Sequence, residues 1–421
     1  MCVAIFAIAL CARLALLTLL DYQPAIEFAE MEKLARNLAE TGTLGNPYKL
    51  PTGPSAHHAP VYPAILALVF VLWGYGTQAA WAMVLMNLSF ASMQYALLPV
   101  LARVARLPVL PAIGAALVGA AVPFRVLTEA RWETTLAALV TVLAILVSVW
   151  WSRDGLPSYR RAAAVGAAWG LALLTAPSLL PVFLLIALWW ALSPGLAHWR
   201  SRLPRVGAVL LAATVVLVPW SIRNYRALGA PVFVRSNFGI EFSVSNHDTA
   251  YVLARDNYLV GYPDNYFHEN HPWSDRGHAA RVQRVGEIAY NRERLAEAVQ
   301  WCRDEPEQFL RLTLGRVWQF WAMPSINQRY KDVLLQPITV LGFVGLAIVW
   351  RRDRQAGAVF ASLLLGYPLV YYFVQTGTRY RYPIDWAPVL LAAYALAAIA
   401  AHLLARQSEA YAARSASAPL R

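Results

Sequence analysis

The chain has 421 residues, of which 58% are hydrophobic and only 14% charged, and its mean hydropathy is +0.44. So much apolar surface with so little charge excludes an ordinary soluble core. The net charge of +12 would suit a nucleic-acid partner, but the basic residues fall in short groups between apolar runs, without a basic stripe, which is the membrane pattern.

The N-terminal run carries no basic leader and no small-residue cleavage site, and Leu10 before Cys11 is too large for a lipoprotein signal, so residues 2–20 read as a retained span. Cys2, Cys11 and Cys302 are odd in number and scattered, which offers neither a disulfide framework nor a zinc spacing. A helix needs roughly 17 to 25 apolar residues to cross the hydrocarbon. Runs near that length lie at 2–20, 79–102, 108–124, 131–151, 162–177, 179–194, 206–220, 335–350, 357–375 and 386–405, which predicts an all-α polytopic protein with about ten transmembrane helices.

Arg13 lies inside the first run, where an unpaired arginine costs at least roughly 2.5 kcal/mol. It faces either the bundle interior, opposite a carboxylate or an anionic ligand, or snorkels to the nearer interface. Next, 26–40 has helical periodicity, with Met31, Leu34, Ala35 and Leu38 on one stripe, and is too short to span; it reads as an amphipathic helix in the interface. Glu27 falls on that apolar stripe, whereas Glu32 sits one turn before Arg36 and can pair with it. Glu27 is therefore either a candidate general base or simply a favourable charge at a helix start. His57 and His58 follow in a Gly- and Pro-punctuated loop; adjacent histidines rarely chelate one ion, no third ligand is spaced nearby, and no metal is expected. The apolar stretch 61–74 reads as re-entrant or as a slanted lead-in to the next span.

Glu129, Arg131, Trp132 and Glu133 precede the fourth span, either as an aromatic belt with flanking charge or as a phosphate clamp. The arginines at 103 and 106, at 153, 160 and 161, between 200 and 205, between 351 and 354, and from 406 onward all share one side if the N-terminus is cytoplasmic. Two polar segments, 21–78 and 221–334, then face outward. The second is turn-rich from Arg223 to Asp275, then helical to about Trp301, with another helix after Pro306 whose Phe309, Leu312, Val317, Phe320 and Trp321 favour the membrane surface. Arg379, Tyr380, Arg381 and Tyr382 stand before the last span on that outer side, where arginine is disfavoured, either as a ligand-binding group or as an interface anchor.

Taken together, Glu27 to Gly42 (EFAEMEKLARNLAETG), Pro51-Thr-Gly-Pro-Ser, Ala59-Pro-Val-Tyr-Pro63, Arg131-Trp-Glu-Thr134, Pro219-Trp-Ser-Ile-Arg-Asn-Tyr225, Ser236-Asn-Phe-Gly-Ile-Glu241 and Arg379-Tyr-Arg-Tyr-Pro383 resemble the GT-C membrane glycosyltransferases. More narrowly, they look like the bacterial branch related to protein O-mannosyltransferases and the aminoarabinose transferase of lipid A. The resemblance implies an inverting enzyme that takes a sugar from a polyprenyl-phosphate donor and transfers it to a hydroxyl of a lipid, glycan or protein acceptor. It implies no cofactor, no nucleic-acid partner, and an active face on the periplasmic side of the inner membrane. In that family an acidic residue of the first outer loop, normally aspartate, serves as base or acceptor guide; Glu27 takes that place, with Glu30 as the alternative. Arg13, Arg131, Glu133, Arg223, Arg379, Arg381 and Tyr382 become candidate substrate-binding residues, because fixed cations stabilise a leaving phosphate.

The implied architecture is a transmembrane GT-C core, 1–220, with amphipathic interfacial helices in its first outer loop, 21–78. A mixed extracytoplasmic segment, 221–334, C-terminal transmembrane helices, 335–405, and a disordered cytoplasmic tail, 406–421, complete it. The rival class, a transporter or flippase of lipid-linked saccharide, predicts repeated halves and broken helices, neither of which the sequence displays.

Overall fold

A computed structural model describes residues 1–121, 132–153, 157–193, 199–250, 269–322 and 329–416. Among them there is no strand, only helices and an isolated antiparallel bridge between Gly45 and Pro54. Each expected apolar run falls on a helix: α1 (Cys2–Leu19), α4 (Thr77–Ala96) continued by α5 (Leu98–Val104), α6 (Val109–Ala121), α7 (Thr134–Trp151), α8 (Tyr159–Leu173), α9 (Leu180–Leu192), α10 (Trp199–Leu228), α15 (Arg329–Arg352), α16 (Arg354–Gly366) and α18 (Thr378–Ala416). Six helical stretches of the described residues are long and apolar enough to cross a membrane, with shorter apolar helices at Val61–Trp73, Val109–Ala121 and Pro177–Leu192.

The bundle is apolar outside and partly polar within, as a lipid solvent demands. Leu184, Leu188 and Leu192 of α9 and Leu396, Ile399, Leu403 and Leu404 of α18 are exposed. Asn87, Gln94, Thr135, Thr141 and Asp385 are buried. Small residues let the helices approach: a Cβ on Gly166 of α8 would stand 2.2 Å from the Val209 carbonyl oxygen of α10.

The arginine-rich connections gather at one end. Arg153 pairs with Asp353 and donates to the Ala105 carbonyl at 2.7 Å, Arg205 donates to the Pro157 carbonyl at 2.7 Å, and Gln355 reaches Ser193 at 2.8 Å. That last bond places the C-terminus of the short helix α9 at the same end.

The opposite end is built from short helices and loops: α2 (Glu30–Thr41), α3 (Val61–Trp73), α11 (Phe238–Ser245), α12 (Arg276–Val285), α13 (Glu287–Asp304), α14 (Pro306–Ala322) and α17 (Leu369–Phe373). Helix α11 lies in the stretch read as turn-rich. On α14, Leu312, Arg316 and Phe320 point inward while Leu310, Leu314 and Trp318 are exposed, so the apolar face turned outward differs from the expected one. Helix α18 runs on to Ala416, through most of the segment expected to be disordered.

Helix α2 begins later than its periodicity suggested. Phe28 has φ +53°, Ala29 is the N-cap, and the Glu32 carboxylate turns back to accept the Ala29 N–H at 2.8 Å. Glu27 is therefore outside the helix and exposed, not on the apolar stripe. Glu32 is likewise taken from Arg36, which pairs with Glu40 at 2.7 Å. Gly42, at φ +71°, ends the helix in the left-handed conformation. Met31 and Ala35 pack into one apolar cluster with Tyr62, Leu66 and Phe70 of α3, which leaves Glu30 facing the loop that follows.

Candidate functional site

The loop between α2 and α3 folds back over α2 because three other segments hold it. Arg223 of α10 donates to the Ser55 carbonyl at 2.8 Å and to the Leu44 carbonyl. Ser236 N–H bonds the Ala56 carbonyl at 2.9 Å, and Lys49 N–H bonds the Pro272 carbonyl at 2.9 Å. Glu287, the first residue of α13, accepts from Ser55 Oγ at 2.5 Å, from the Ala56 N–H at 2.9 Å and from Ser236 Oγ at 2.5 Å. These bonds bring His57 and His58 down onto Glu30, and His271 arrives from the segment before α12.

Glu30 thus sits buried among three imidazoles. His58 Nε2 is 3.1 Å from its Oε2, His57 Nε2 is 3.4 Å from its Oε1, and His271 Nδ1 is 3.7 Å from the same Oε1. Burial alone would push the Glu30 carboxyl upward, but His57, His58 and His271 hold it well below the usual carboxylate range. His57 answers in kind: burial pulls its proton affinity down, and Glu30 more than restores it. His58 differs because Arg235 donates to its Nδ1 at 2.8 Å; burial and that guanidinium lower its pKa to about 3. Burial lowers His271 too, with Glu30 working against it.

A second layer surrounds the cluster. The Tyr48 hydroxyl lies 3.0 Å from His57 Nδ1 and 3.4 Å from Glu287 Oε2, and burial with the Glu287 and Glu30 charges holds its phenol well above the ordinary range. Arg235 also donates to the His57 carbonyl at 3.1 Å and stands 3.7 Å from Glu133 at the start of α7. Trp132 joins this array to the last helix: its ring centroid is 6.1 Å from that of His58, and the Arg379 guanidinium lies 4.1 Å above the indole.

Of the residues singled out from sequence, Glu30, Glu133 and Arg379 belong to this array. Arg13 is buried in the bundle interior, with Ala9 and Gly119 carbonyls at 3.0 and 3.1 Å, Ser92 Oγ at 3.4 Å and the Tyr95 ring at 5.7 Å; the snorkelling alternative does not occur. Tyr382 is buried and accepts from Gln94 at 3.3 Å. Arg381 is also buried and donates to Asp385 at 2.7 Å, to Thr339 at 2.7 Å and to the Phe320 and Trp321 carbonyls at 3.1 and 2.8 Å. Arg131 lies outside the described residues.

The third ligand that the spacing around His57 did not supply is present in space. Glu30, His57 and His271 each offer a donor atom within 4.8 Å of the others. Ligand bonds of about 2.1 Å in a tetrahedral site put donors roughly 3.4 Å apart, close to the 3.4 and 3.7 Å measured here from Glu30 Oε1. Glu30 Oε1 and His57 Nε2 are buried without hydrogen-bond partners, whereas His271 Nδ1 also accepts the Trp273 N–H at 3.1 Å. Glu30 Oε1 and His57 Nε2 fit two ligand positions of a divalent cation of zinc type, and His271 completes the set when its Nδ1, which has a single lone pair, gives up the Trp273 N–H.

No family model matches the sequence, and no curated protein matches it. Solved structures do. The chain superposes on the apo form of the oligosaccharyltransferase of Archaeoglobus fulgidus with TM-score 0.57 and 12% identity, over 97% of its own length and 52% of that chain. On the same enzyme, AglB, in complex with an inhibitory peptide and a dolichol-phosphate, the values are 0.55, 12%, 100% and 52%. On its complex with Zn and sulfate they are 0.54, 13%, 99% and 51%. The fold is the GT-C fold of membrane glycosyltransferases. The chain spans about half the length of the structures it matches.

Proposed function

We propose that this chain is a GT-C glycosyltransferase that moves a sugar from a polyprenyl-phosphate donor to an acceptor hydroxyl, with inversion, on the periplasmic face of the inner membrane. The observation that carries this reading is a buried carboxylate–histidine–arginine cluster, assembled from separate loops at one end of a GT-C bundle. The dolichol-phosphate bound by the archaeal enzyme supports the donor class, and the arginine-rich connections at the far end support the orientation.

In this reading the acceptor oxygen attacks the anomeric carbon, the bond from that carbon to the phosphate oxygen breaks, and the electron pair leaves with the polyprenyl phosphate. The acceptor proton passes to a carboxylate. Glu30 is poorly suited, since a carboxylate held well below its ordinary range accepts protons weakly. Glu27, exposed just before α2, takes the role of base, and Glu30 becomes a fixed anion. A divalent cation held by Glu30, His57 and His271 would supply a fixed positive charge at this end of the bundle. Arg379, with Arg131, is assigned to the donor phosphate. Arg13, Arg223 and Arg381 are given the role of positioning loops and helices, a reading supported by their guanidinium bonds to protein groups.

The test is transfer by the purified full-length protein from polyprenyl-phosphate-linked sugars to a crude envelope acceptor. Glu27→Gln should lower transfer by roughly 10²–10⁴ with the melting temperature unchanged. Undiminished transfer would remove Glu27 as the base, and a wild-type protein inert toward every such donor would remove the donor class.

A further inference from the structure

His57 and His58 are adjacent, both buried, and both within 3.4 Å of a Glu30 oxygen through Nε2. Their Nδ1 atoms, however, face different chemistry. His58 Nδ1 meets Arg235, whose guanidinium only donates, so this nitrogen can only accept and its proton must sit on Nε2, where it is donated to Glu30. His57 Nδ1 meets the Tyr48 hydroxyl, which both accepts and donates. Glu287 stands beyond that hydroxyl at 3.4 Å, a carboxylate already receiving three other donors that can take the phenolic proton. When Nδ1 carries the proton, it donates to Tyr48, Tyr48 donates to Glu287, and His57 Nε2 presents a bare lone pair toward Glu30 Oε1.

We propose that Arg235 on one side and the Tyr48–Glu287 pair on the other set the two adjacent histidines to opposite tautomers, making His57 a ligand for a divalent cation and His58 a hydrogen-bond donor that is not a ligand. This rests on the cation-holding role assigned above to Glu30, His57 and His271. Tyr48 and Glu287 act as positioning residues in the manner of outer-shell partners that fix a ligand imidazole. The two orphaned atoms, Glu30 Oε1 and His57 Nε2, face each other across the place the ion takes.

Glutamine separates the two roles. At 58 its amide reproduces both bonds, the oxygen accepting from Arg235 and the nitrogen donating to Glu30; at 57 it removes an imidazole ligand. Full-length protein in detergent, stripped with chelator, would be titrated with Co²⁺ and followed by its visible absorption, with metal content per chain measured independently of transfer activity. Wild type and His58→Gln should each bind one Co²⁺ per chain with the same band pattern, and His57→Gln should bind none. Tyr48→Phe, which keeps the ring and removes the proton acceptor, should weaken Co²⁺ binding by roughly 10–100-fold in a protein that still folds, with its melting temperature lowered by the lost buried bond. Binding lost equally in both glutamine variants, unaltered affinity in Tyr48→Phe, or no Co²⁺ on the wild-type chain would each overturn the proposal. A chain that transfers sugar yet binds no Co²⁺ would leave the glycosyltransferase reading standing while this one fell. If His57→Gln fails to fold, Tyr48→Phe decides.

Discussion

Arg235 donates to His58 Nδ1 at 2.8 Å while standing 3.7 Å from Glu133, so one guanidinium joins the loop after α10 to the first-loop histidines and to the start of α7. Replacing it with methionine keeps much of the side-chain length and removes the donors. His58 Nδ1 would then be a buried acceptor without a partner, at a cost of about 1–3 kcal/mol. The expected outcome is a lower melting temperature in detergent, partly restored by Arg235→Lys, which keeps a donor but not the planar fork. A methionine variant as stable as the wild type would show that the bond contributes nothing.

The same pair gives a pH dependence of definite sign. His58 titrates at about 3 in the folded protein against an ordinary value of 6.5, because of burial and the Arg235 charge. Between those values the unfolded chain binds the extra proton, so this residue's contribution is fully present above about pH 7 and is lost as the pH falls through 6.5. From pH 7.5 to 5.5 the loss is about 1.4 kcal/mol for this one group. Thermal unfolding at the two pH values should therefore show a larger acid destabilisation in wild type than in His58→Gln. Equal shifts would mean that His58 already carries its proton when folded.

How much of this was legible from sequence depends on the range of the interaction that decides each feature. Hydropathy and the sidedness of arginines are local sums, and they located the helices and separated the two ends of the bundle. The site is decided by contacts between distant segments. His57 and His58 were visible, but His271 reaches them from a distant segment, which the Pro272 carbonyl ties to Lys49 of the first loop. Arg235 stood one residue before the recognised Ser236–Glu241 motif, with no local signal beyond that adjacency. Glu287 lies inside the stretch read as one helix to Trp301, and nothing in its neighbours marks it; the structure starts a new helix there. Glu27 was misplaced for a local reason: Phe28 takes a left-handed conformation that bulky residues rarely adopt, and the helix starts after it instead of before it.

Arg381 and Asp385 form an ion pair one turn apart on α18, 1% and 3% exposed at the side chain. Asp385→Ala would leave the Arg381 Nε donor without its acceptor inside the bundle, and breaking a buried pair from one side typically costs about 3–5 kcal/mol. Asp385→Asn keeps an acceptor at the same place and should lose less. The double variant Arg381→Met with Asp385→Ala should be more stable than Asp385→Ala alone, because the stranded charge has gone. Equal melting temperatures for the single and double variants would mean that the remaining bonds to Thr339 and the Phe320 and Trp321 carbonyls satisfy the arginine unaided.

Gly119 occupies the crossing of α6 with α4, where its carbonyl accepts from Arg13 and its missing side chain leaves room for the Tyr95 ring. A Cβ there would fall 2.0 Å from Tyr95 Cε1, far inside contact distance, and the ring is fully buried. Gly119→Ala should therefore destabilise the protein by about 1–3 kcal/mol through overpacking, despite alanine's better helix propensity. Shrinking the opposing residue tests the cause. In a Tyr95→Ala background the methyl group has space, so the added cost of Gly119→Ala should largely vanish, giving strong coupling between the two sites. An unchanged cost would place the penalty elsewhere, at the Gly119 carbonyl that anchors Arg13.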